Sequence, residues 1–239
     1  MQNPFFIPIF ATYNVEMQQH MSWIQDIDFL KIIDFVGTFA FAISGIRLAS
    51  AKRFDWFGAY VVGAATAIGG GTLRDLMLNQ PVFWMENGTY LLCTGLALLW
   101  VIIFRKNLVH MHNTFFVFDA IGLALFTVVG IQKSLTCGQT IWVGIIMGTM
   151  TGAAGGVIRD VLINEEPLIF RKEIYAMACV VGGIAFAICH WTGLATFPTH
   201  LICGATVFLT RALAVKYQIC LPTLRPEDDD ENGKISKES

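Results

Sequence analysis

Long runs of apolar residues, separated by short polar stretches, follow one another along almost the whole chain. A helix that crosses a bilayer needs about 20 mostly apolar residues, and the runs are close to that length. Seven runs are present, at residues 29–49, 56–78, 88–105, 114–133, 140–163, 174–192 and 198–217. The breaks between them carry charges or turn-forming residues, as at Asn79-Gln80-Pro81. This pattern predicts an all-α integral membrane protein with seven transmembrane helices.

The two ends of the chain differ from this membrane domain at residues 29–217. Residues 1–28 contain a short apolar run interrupted by Pro4 and Pro8, with no basic region before it. This composition predicts an interfacial segment rather than a signal peptide. Residues 218–239 are charged and poor in apolar side chains, which predicts a disordered tail.

Composition agrees with a membrane protein and excludes several soluble classes. Of the 239 residues, 55% are hydrophobic and 14% are charged, whereas soluble domains average roughly 25% charged residues. The net charge of −2 gives no sign of a nucleic-acid partner. The six cysteines lack CxxC spacing, so no metal or redox centre is predicted. No nucleophile–base pair or phosphate-binding loop is present, and we expect neither an enzyme nor a cofactor.

Basic residues predict the orientation of the chain in the cell membrane. Twelve of the 16 Lys and Arg residues lie in the first, third and fifth loops or at the C-terminal end. Short cytoplasmic loops are enriched in basic residues. We therefore expect a multi-pass inner-membrane protein whose N-terminus is outside and whose C-terminal tail is cytoplasmic.

An internal repeat becomes visible when the chain is compared with itself so that Asp34 is aligned with Asp119. The segment 34–79 then matches 119–164 at 12 of 46 positions, five of which are glycines. A one-residue insertion after this block aligns Pro81 with Pro167. Each repeat contains three helices, at 29–105 and 114–192, and the seventh helix at 198–217 stands outside. Since three is odd, the second copy enters the membrane from the opposite side, which predicts inverted repeats.

The second helix of each repeat carries a glycine cluster followed by Arg-Asp. The two copies are Gly69-Gly70-Gly71-Thr72-Leu73-Arg74-Asp75 and Ala154-Gly155-Gly156-Val157-Ile158-Arg159-Asp160. Each glycine weakens a helix by about 1 kcal/mol relative to alanine, so we expect a kink or an unwound turn there. The alternative is close helix packing, which stripes of small residues favour. Thr66 and Thr151 precede the clusters by one turn, and either line a pore or bond to their own helix.

Charged residues inside the predicted spans are the second signal. Such residues are costly in lipid and usually face the bundle interior or water. Because adjacent residues on a helix point to different faces, we expect Arg74 and Arg159 to pair with aspartates other than Asp75 and Asp160. Matching depths suggest Asp34–Arg74 at one mouth and Asp119–Arg159 at the other. These clamps are either structural or part of a gate.

Together, the double glycine–Arg-Asp motif, the three-helix repeats and the seventh helix resemble the prokaryotic branch of the trimeric intracellular cation (TRIC) channel family. The same family has also been labelled a glycine transporter domain. The resemblance covers about residues 29–217. It implies a homotrimer with one pore in each protomer, bounded by kinked second and fifth helices at Gly69–Gly71 and Gly155–Gly156. The permeating ion implied is a monovalent cation, K⁺ or Na⁺. Membrane lipid is the other expected partner.

Two functions remain open at this stage. A passive cation channel needs weak binding along a hydrated path. A secondary transporter of glycine or another small solute would use the same helix breaks for alternating access. A transporter needs a midplane site for the substrate, and the four aspartates lie nearer the mouths, which favours the channel. A non-conducting scaffold would not need the paired motif.

Overall fold

A computed structural model describes the backbone of residues 6–104, 114–171 and 174–220, and the side chains within 29–104, 115–171 and 174–220. Apart from the start of the first helix, the ends of every predicted span lie within three residues of the ends of a helix. The α-helices, in chain order, are α1 Phe6–Ala51, α2 Trp56–Met77, α3 Phe83–Glu86, α4 Thr89–Ile103, α5 Thr114–Thr136, α6 Ile141–Leu162, α7 Ala176–Trp191 and α8 Thr196–Lys216.

Helix length and outward-facing side chains identify a membrane protein. Within the described residues, four helical segments are long and apolar enough to span a membrane: Phe29–Ala51 of α1, Phe115–Thr136 of α5, and the whole of α6 and α8. The shorter helices α4 and α7 are also apolar. Bulky apolar side chains point away from the bundle, among them Trp56 and Phe57, which are 73% and 74% exposed. Such a surface suits lipid and would be unusual in water.

The N-terminal segment is helical, and its interfacial location stays a prediction. Residues 6–28 are helical and continuous with the first span, so that α1 has 46 residues. Pro8 does not interrupt the helix because it lies in the first turn, where its missing N–H has no partner to lose. The predicted disordered tail lies outside the described residues from 221 onward.

Four helices form the centre of the bundle. The first two helices of each repeat pack against each other, α1 on α2 and α5 on α6. The two repeats then meet through α1 with α5 and α2 with α6. Helix α4 lies against α1 and α2, helix α7 against α6, and helix α8 against α5 and α7.

Reciprocal contacts between the repeats establish their inverted relation. A side chain at Gly37 would strike the ring of Phe126, and one at Gly122 would strike the ring of Phe41. Residues later in α1 thus meet residues earlier in α5, so the two helices run antiparallel. The Phe41 and Phe126 rings pack edge to face, 5.2 Å apart. Contacts exchanged in this way indicate a two-fold axis between the copies, which confirms the predicted inverted repeat.

A short turn after each middle helix was not predicted. Helix α3 follows α2, and a 3₁₀ turn at Leu168–Phe170 follows α6. Asn79 and Asn164 end the middle helices with φ of 52° and 54°, a left-handed conformation that asparagine tolerates better than most residues. The turns begin at Phe83 and Leu168, which are separated along the chain by the same number of residues as Asp34 and Asp119. The insertion that we expected before this point is therefore absent.

Candidate functional site

The middle helices α2 and α6 cross at their glycine clusters. A side chain at Gly70 would collide with the main-chain oxygen of Thr151, and one at Gly155 with the main-chain oxygen of Thr66. All four residues are buried. The contact is antiparallel and reciprocal, so it lies on the same two-fold axis as the two phenylalanine rings. We call this contact the glycine crossing.

The prediction of an unwound turn at the glycine clusters is wrong. Helix α2 is uninterrupted from Trp56 to Met77, and helix α6 from Ile141 to Leu162. The physical reason is that tertiary packing outweighs weak helix propensity. The absence of a Cβ atom lets the two main chains touch, as small residues do in membrane helix pairs. A kink without loss of helix stays a prediction.

The other glycines of the clusters also make room for neighbours. A Cβ atom at Gly71 would meet the ring of Phe83, one at Gly156 the hydroxyl of Tyr175, and one at Gly69 the side chain of Ile158. Close packing therefore accounts for all five cluster glycines in this conformation.

Thr66 and Thr151 bond to their own helices. Their hydroxyls donate to the carbonyl oxygens of Val62 and Met147, each at 2.6 Å, and both side chains are fully buried. Of the two predicted roles, bonding within the helix is the one observed in this conformation. A pore-lining role for these threonines stays a prediction.

A cluster of charged and phenolic side chains lies at one end of the glycine crossing. We call it the first cluster; it contains Asp34, Arg74, Asp75, Tyr90 and Lys133. Asp75 Oδ1 accepts from Arg74 Nε and lies 2.8 Å from both that atom and Lys133 Nζ. Its other oxygen accepts from the main-chain N–H of the first residue of α3. The Tyr90 hydroxyl donates to Asp34 at 2.8 Å.

The pairing expected in the first cluster is wrong. Arg74 forms its ion pair with Asp75, and Asp34 is held by the Tyr90 hydroxyl. Adjacent residues pair here because the long arginine side chain bends back and presents Nε to its neighbour. The guanidinium then lies 5.6 Å from the centre of the Phe83 ring.

The matching cluster at the opposite end contains the predicted Asp119–Arg159 pair. It also contains an Arg159–Asp160 pair, so the expectation that adjacent residues would not pair is wrong here as well. We call it the second cluster; it contains Ser44, Asp119, Arg159, Asp160 and Tyr175. Arg159 Nη1 donates to Asp119 at 2.5 Å and to the Ser44 hydroxyl at 2.8 Å, while its Nε donates to Asp160 at 2.8 Å. The Tyr175 hydroxyl donates to Asp119 at 3.5 Å. All five residues of the second cluster are buried.

Sequence reasoning missed the tyrosines and the partners contributed by the opposite repeat. Tyr90 and Tyr175 occupy equivalent positions of the two repeats, as do the aspartates that they contact, but the assumed insertion hid this match. Ser44 and Lys133 have no equivalent, since Val129 and Leu48 stand at the corresponding positions. The repeat alone therefore gave no signal for them.

An exposed ion-pair group joins two loops at the second-cluster end of the bundle. Glu165 contacts Lys52 and lies 3.5 Å from Arg171. The Lys52 ammonium holds the pKa of the Glu165 carboxyl below its ordinary value of 4.5. Within the part of the chain that the structure describes, no group of three His, Cys, Asp or Glu side chains could hold a metal ion.

Comparison with known proteins gives the same duplicated organisation. A sequence-family model described as "Glycine transporter" matches residues 31–106 and again 116–191, which coincide with the two repeats. The Escherichia coli UPF0126 inner membrane protein YadS is 40% identical over 205 residues, 84% of this chain and 98% of that protein. A UPF0126 membrane protein of Vibrio cholerae is 41% identical over 83% of this chain and 84% of its own length.

Solved structures share the fold as well. The trimeric intracellular cation channel orthologue of Rhodobacter sphaeroides has a TM-score of 0.74 and 34% identity, and the match covers 79% of this chain and 98% of that one. TRIC counter-ion channels, at 18% identity and a TM-score of 0.51, share the fold alone.

Proposed function

Since the chain belongs to the bacterial branch of the TRIC family, the family whose sequence model is described as a glycine transporter, we propose that it is a passive channel for monovalent cations. The permeating ion is K⁺ or Na⁺, with K⁺ the principal one. The protein assembles as a homotrimer in the inner membrane, and each protomer has its own pathway between α2 and α6. The N-terminus lies outside and the tail 218–239 in the cytoplasm.

One observation carries this proposal: buried charges occupy both ends of the glycine crossing in inverted positions. Arg74 and Arg159 each lie about one turn, or about 6 Å along a helix, after Gly70 and Gly155. Because α2 and α6 are antiparallel, the two clusters lie on opposite sides of the crossing. Burying a charge in a membrane bundle costs free energy, and such charges mark ion pathways. A protein that only packed its helices would not need them.

The glycine crossing supplies the gate. In this conformation the main chains of α2 and α6 touch at Gly70 and Gly155, so the proposed pathway would be closed at this point. Opening requires the two helices to separate or bend at this point. Main-chain oxygens form the closest part of this contact, and the Phe41 ring packs beside it at Gly155.

Liposomes that contain the purified protein test the proposal. We expect a K⁺ gradient to set a membrane potential, detected with a voltage-sensitive dye, and no glycine uptake. Protein-free liposomes and liposomes with Arg159→Gln are the controls. The variant leaves Asp119 and Asp160 without their shared partner, so we expect changed flux. Absence of K⁺ flux from folded wild-type protein would contradict the channel.

A secondary transporter of glycine or another small solute is the second candidate. The description of the family model favours it. Saturable uptake of labelled glycine, coupled to an ion gradient and absent from protein-free liposomes, would identify the transporter in the same preparation.

A further inference from the structure

Two phenylalanine rings lie in the buried centre of the bundle, on the two-fold axis. Phe41 of α1 and Phe126 of α5 pack edge to face, 5.2 Å apart, and are 0% and 3% exposed. A Cβ atom at Gly155 would also meet the Phe41 ring, so this ring lies beside the glycine crossing. We call the two phenylalanines the ring pair.

The spacing along α5 places Phe126 midway between the two charge clusters. Asp119 of the second cluster precedes it by seven residues, and Lys133 of the first cluster follows it by seven. Seven residues are about two turns, or about 10 Å along a helix, so the three residues lie near one face of α5. The face of α5 that carries a charge at each end thus carries an aromatic ring between them.

Helix α1 repeats this arrangement in the opposite direction. Asp34 of the first cluster lies seven residues before Phe41, and Ser44 of the second cluster lies three residues after it. Each of the two helices therefore places one member of the ring pair between residues of the two clusters.

Water finds few hydrogen-bond partners in this central segment. The ring pair belongs to a buried apolar cluster that includes Ala67 and Leu123. At the glycine crossing, the hydroxyls of Thr66 and Thr151 donate to carbonyl oxygens of their own helices. An apolar constriction of this kind can stop ions by excluding water from a channel.

We propose that the ring pair is the hydrophobic barrier of the pathway. While the two rings are in contact, the segment between the clusters stays dry, and a cation cannot pass from one cluster to the other. This inference rests on the proposed function, since a barrier acts only where ions pass. It adds side chains of α1 and α5 to the gate between α2 and α6, and it makes the polarity of those side chains decisive.

Two replacements of Phe126 that are similar in volume and different in polarity test the barrier in the liposome assay. Phe126→Gln should raise K⁺ flux by about tenfold over the wild type, because a polar side chain gives water a partner inside the apolar segment. Phe126→Leu, which stays apolar, should give the lower flux of the two.

Phe186→Gln is the matched control. Phe186 is buried to the same degree, at 2% exposed, but it lies on α7 with its ring stacked on that of His200. This variant carries the same substitution away from the ring pair and should leave K⁺ flux unchanged. Retention of an entrapped dye checks that no variant makes the liposomes leak.

Several results would overturn the barrier. They are equal flux from Phe126→Gln and Phe126→Leu, an equal rise in Phe186→Gln, and loss of the dye from liposomes with Phe126→Gln. Wild-type flux that Phe126→Gln leaves unchanged would overturn this inference and leave the channel intact. Flux from Phe126→Gln alone would support the barrier while contradicting conduction by the wild type, and absence of flux from every protein would overturn both.

A second variant covers the case in which Phe126→Gln does not fold, as judged by size-exclusion chromatography. Phe126→Tyr keeps the ring and adds one hydroxyl. It should raise K⁺ flux above the wild-type value, and an unchanged flux would refute the barrier.

Discussion

Replacement of Gly70 by alanine tests the glycine crossing directly. The new Cβ atom would overlap the main-chain oxygen of Thr151, so α2 and α6 must move apart by on the order of 1 Å to restore normal contact. Overpacking of this kind costs about 1–3 kcal/mol. The higher helix propensity of alanine offsets about 1 kcal/mol of this overpacking cost. The net expectation is therefore a destabilisation of up to about 2 kcal/mol.

Gly95→Ala is the matched control for this change. Gly95 lies in the middle of α4, and a Cβ atom there would meet nothing within 4 Å. The control gains helix propensity without overlap, so it should be neutral or more stable by up to about 1 kcal/mol. Equilibrium unfolding in detergent, read by circular dichroism, measures both variants against the wild type.

The same pair of variants separates packing from gating. If the crossing closes the pathway, Gly70→Ala should raise K⁺ flux in liposomes while Gly95→Ala leaves it unchanged. Equal unfolding curves for the two variants would refute the close main-chain contact. A destabilised Gly70→Ala with wild-type flux would retain the contact and refute its role as the gate.

The remaining predictions concern charged groups. Asp119→Asn should cost about 2–3 kcal/mol in unfolding experiments, because it removes a buried hydrogen bond between charged groups while Asp160 keeps Arg159 paired. Asp34→Asn should cost about 1–2 kcal/mol, because its direct partner is a neutral hydroxyl; equal losses would contradict the observed pairing. Glu165→Gln should remove a stabilisation that the wild type has above pH 4.5 and loses as the pH falls through the lowered pKa of Glu165. Melting curves across the acidic range up to neutral pH measure this difference, and NaCl at molar concentration should reduce it by screening Lys52.

The sequence allowed the helices and the duplication to be predicted because both depend on patterns along the chain. Apolar runs located the seven helices of 15 or more residues in the described part of the chain, and identities at one constant spacing, that of Asp34 from Asp119, located the repeat. The glycine–Arg-Asp motif also placed the site on the correct helices. These features require only local composition and self-similarity, which do not depend on the three-dimensional contacts.

The contacts of the site could not be predicted in the same way. Helix propensity suggested that the glycine clusters would unwind, but propensity is measured without a neighbouring helix, and the partner of Gly70 lies in the other repeat, at Thr151. Because adjacent helix residues point to different faces, Arg74 and Asp75 were expected not to pair. That argument considers only the directions of the Cα–Cβ bonds and neglects the length of the arginine side chain. Lys133 breaks the symmetry, so no repeat argument could have assigned it to Asp75.

The glycine crossing also bears on how the proposed channel switches. Main-chain atoms have no alternative rotamers, so the two helices cannot loosen by gradual rearrangement of side chains at this point. Opening the contact therefore requires the two helices to move relative to each other. Current through a single protomer should therefore rise and fall in steps between fixed levels. The three protomers of a trimer would add such steps independently, unless contacts between the subunits link their crossings.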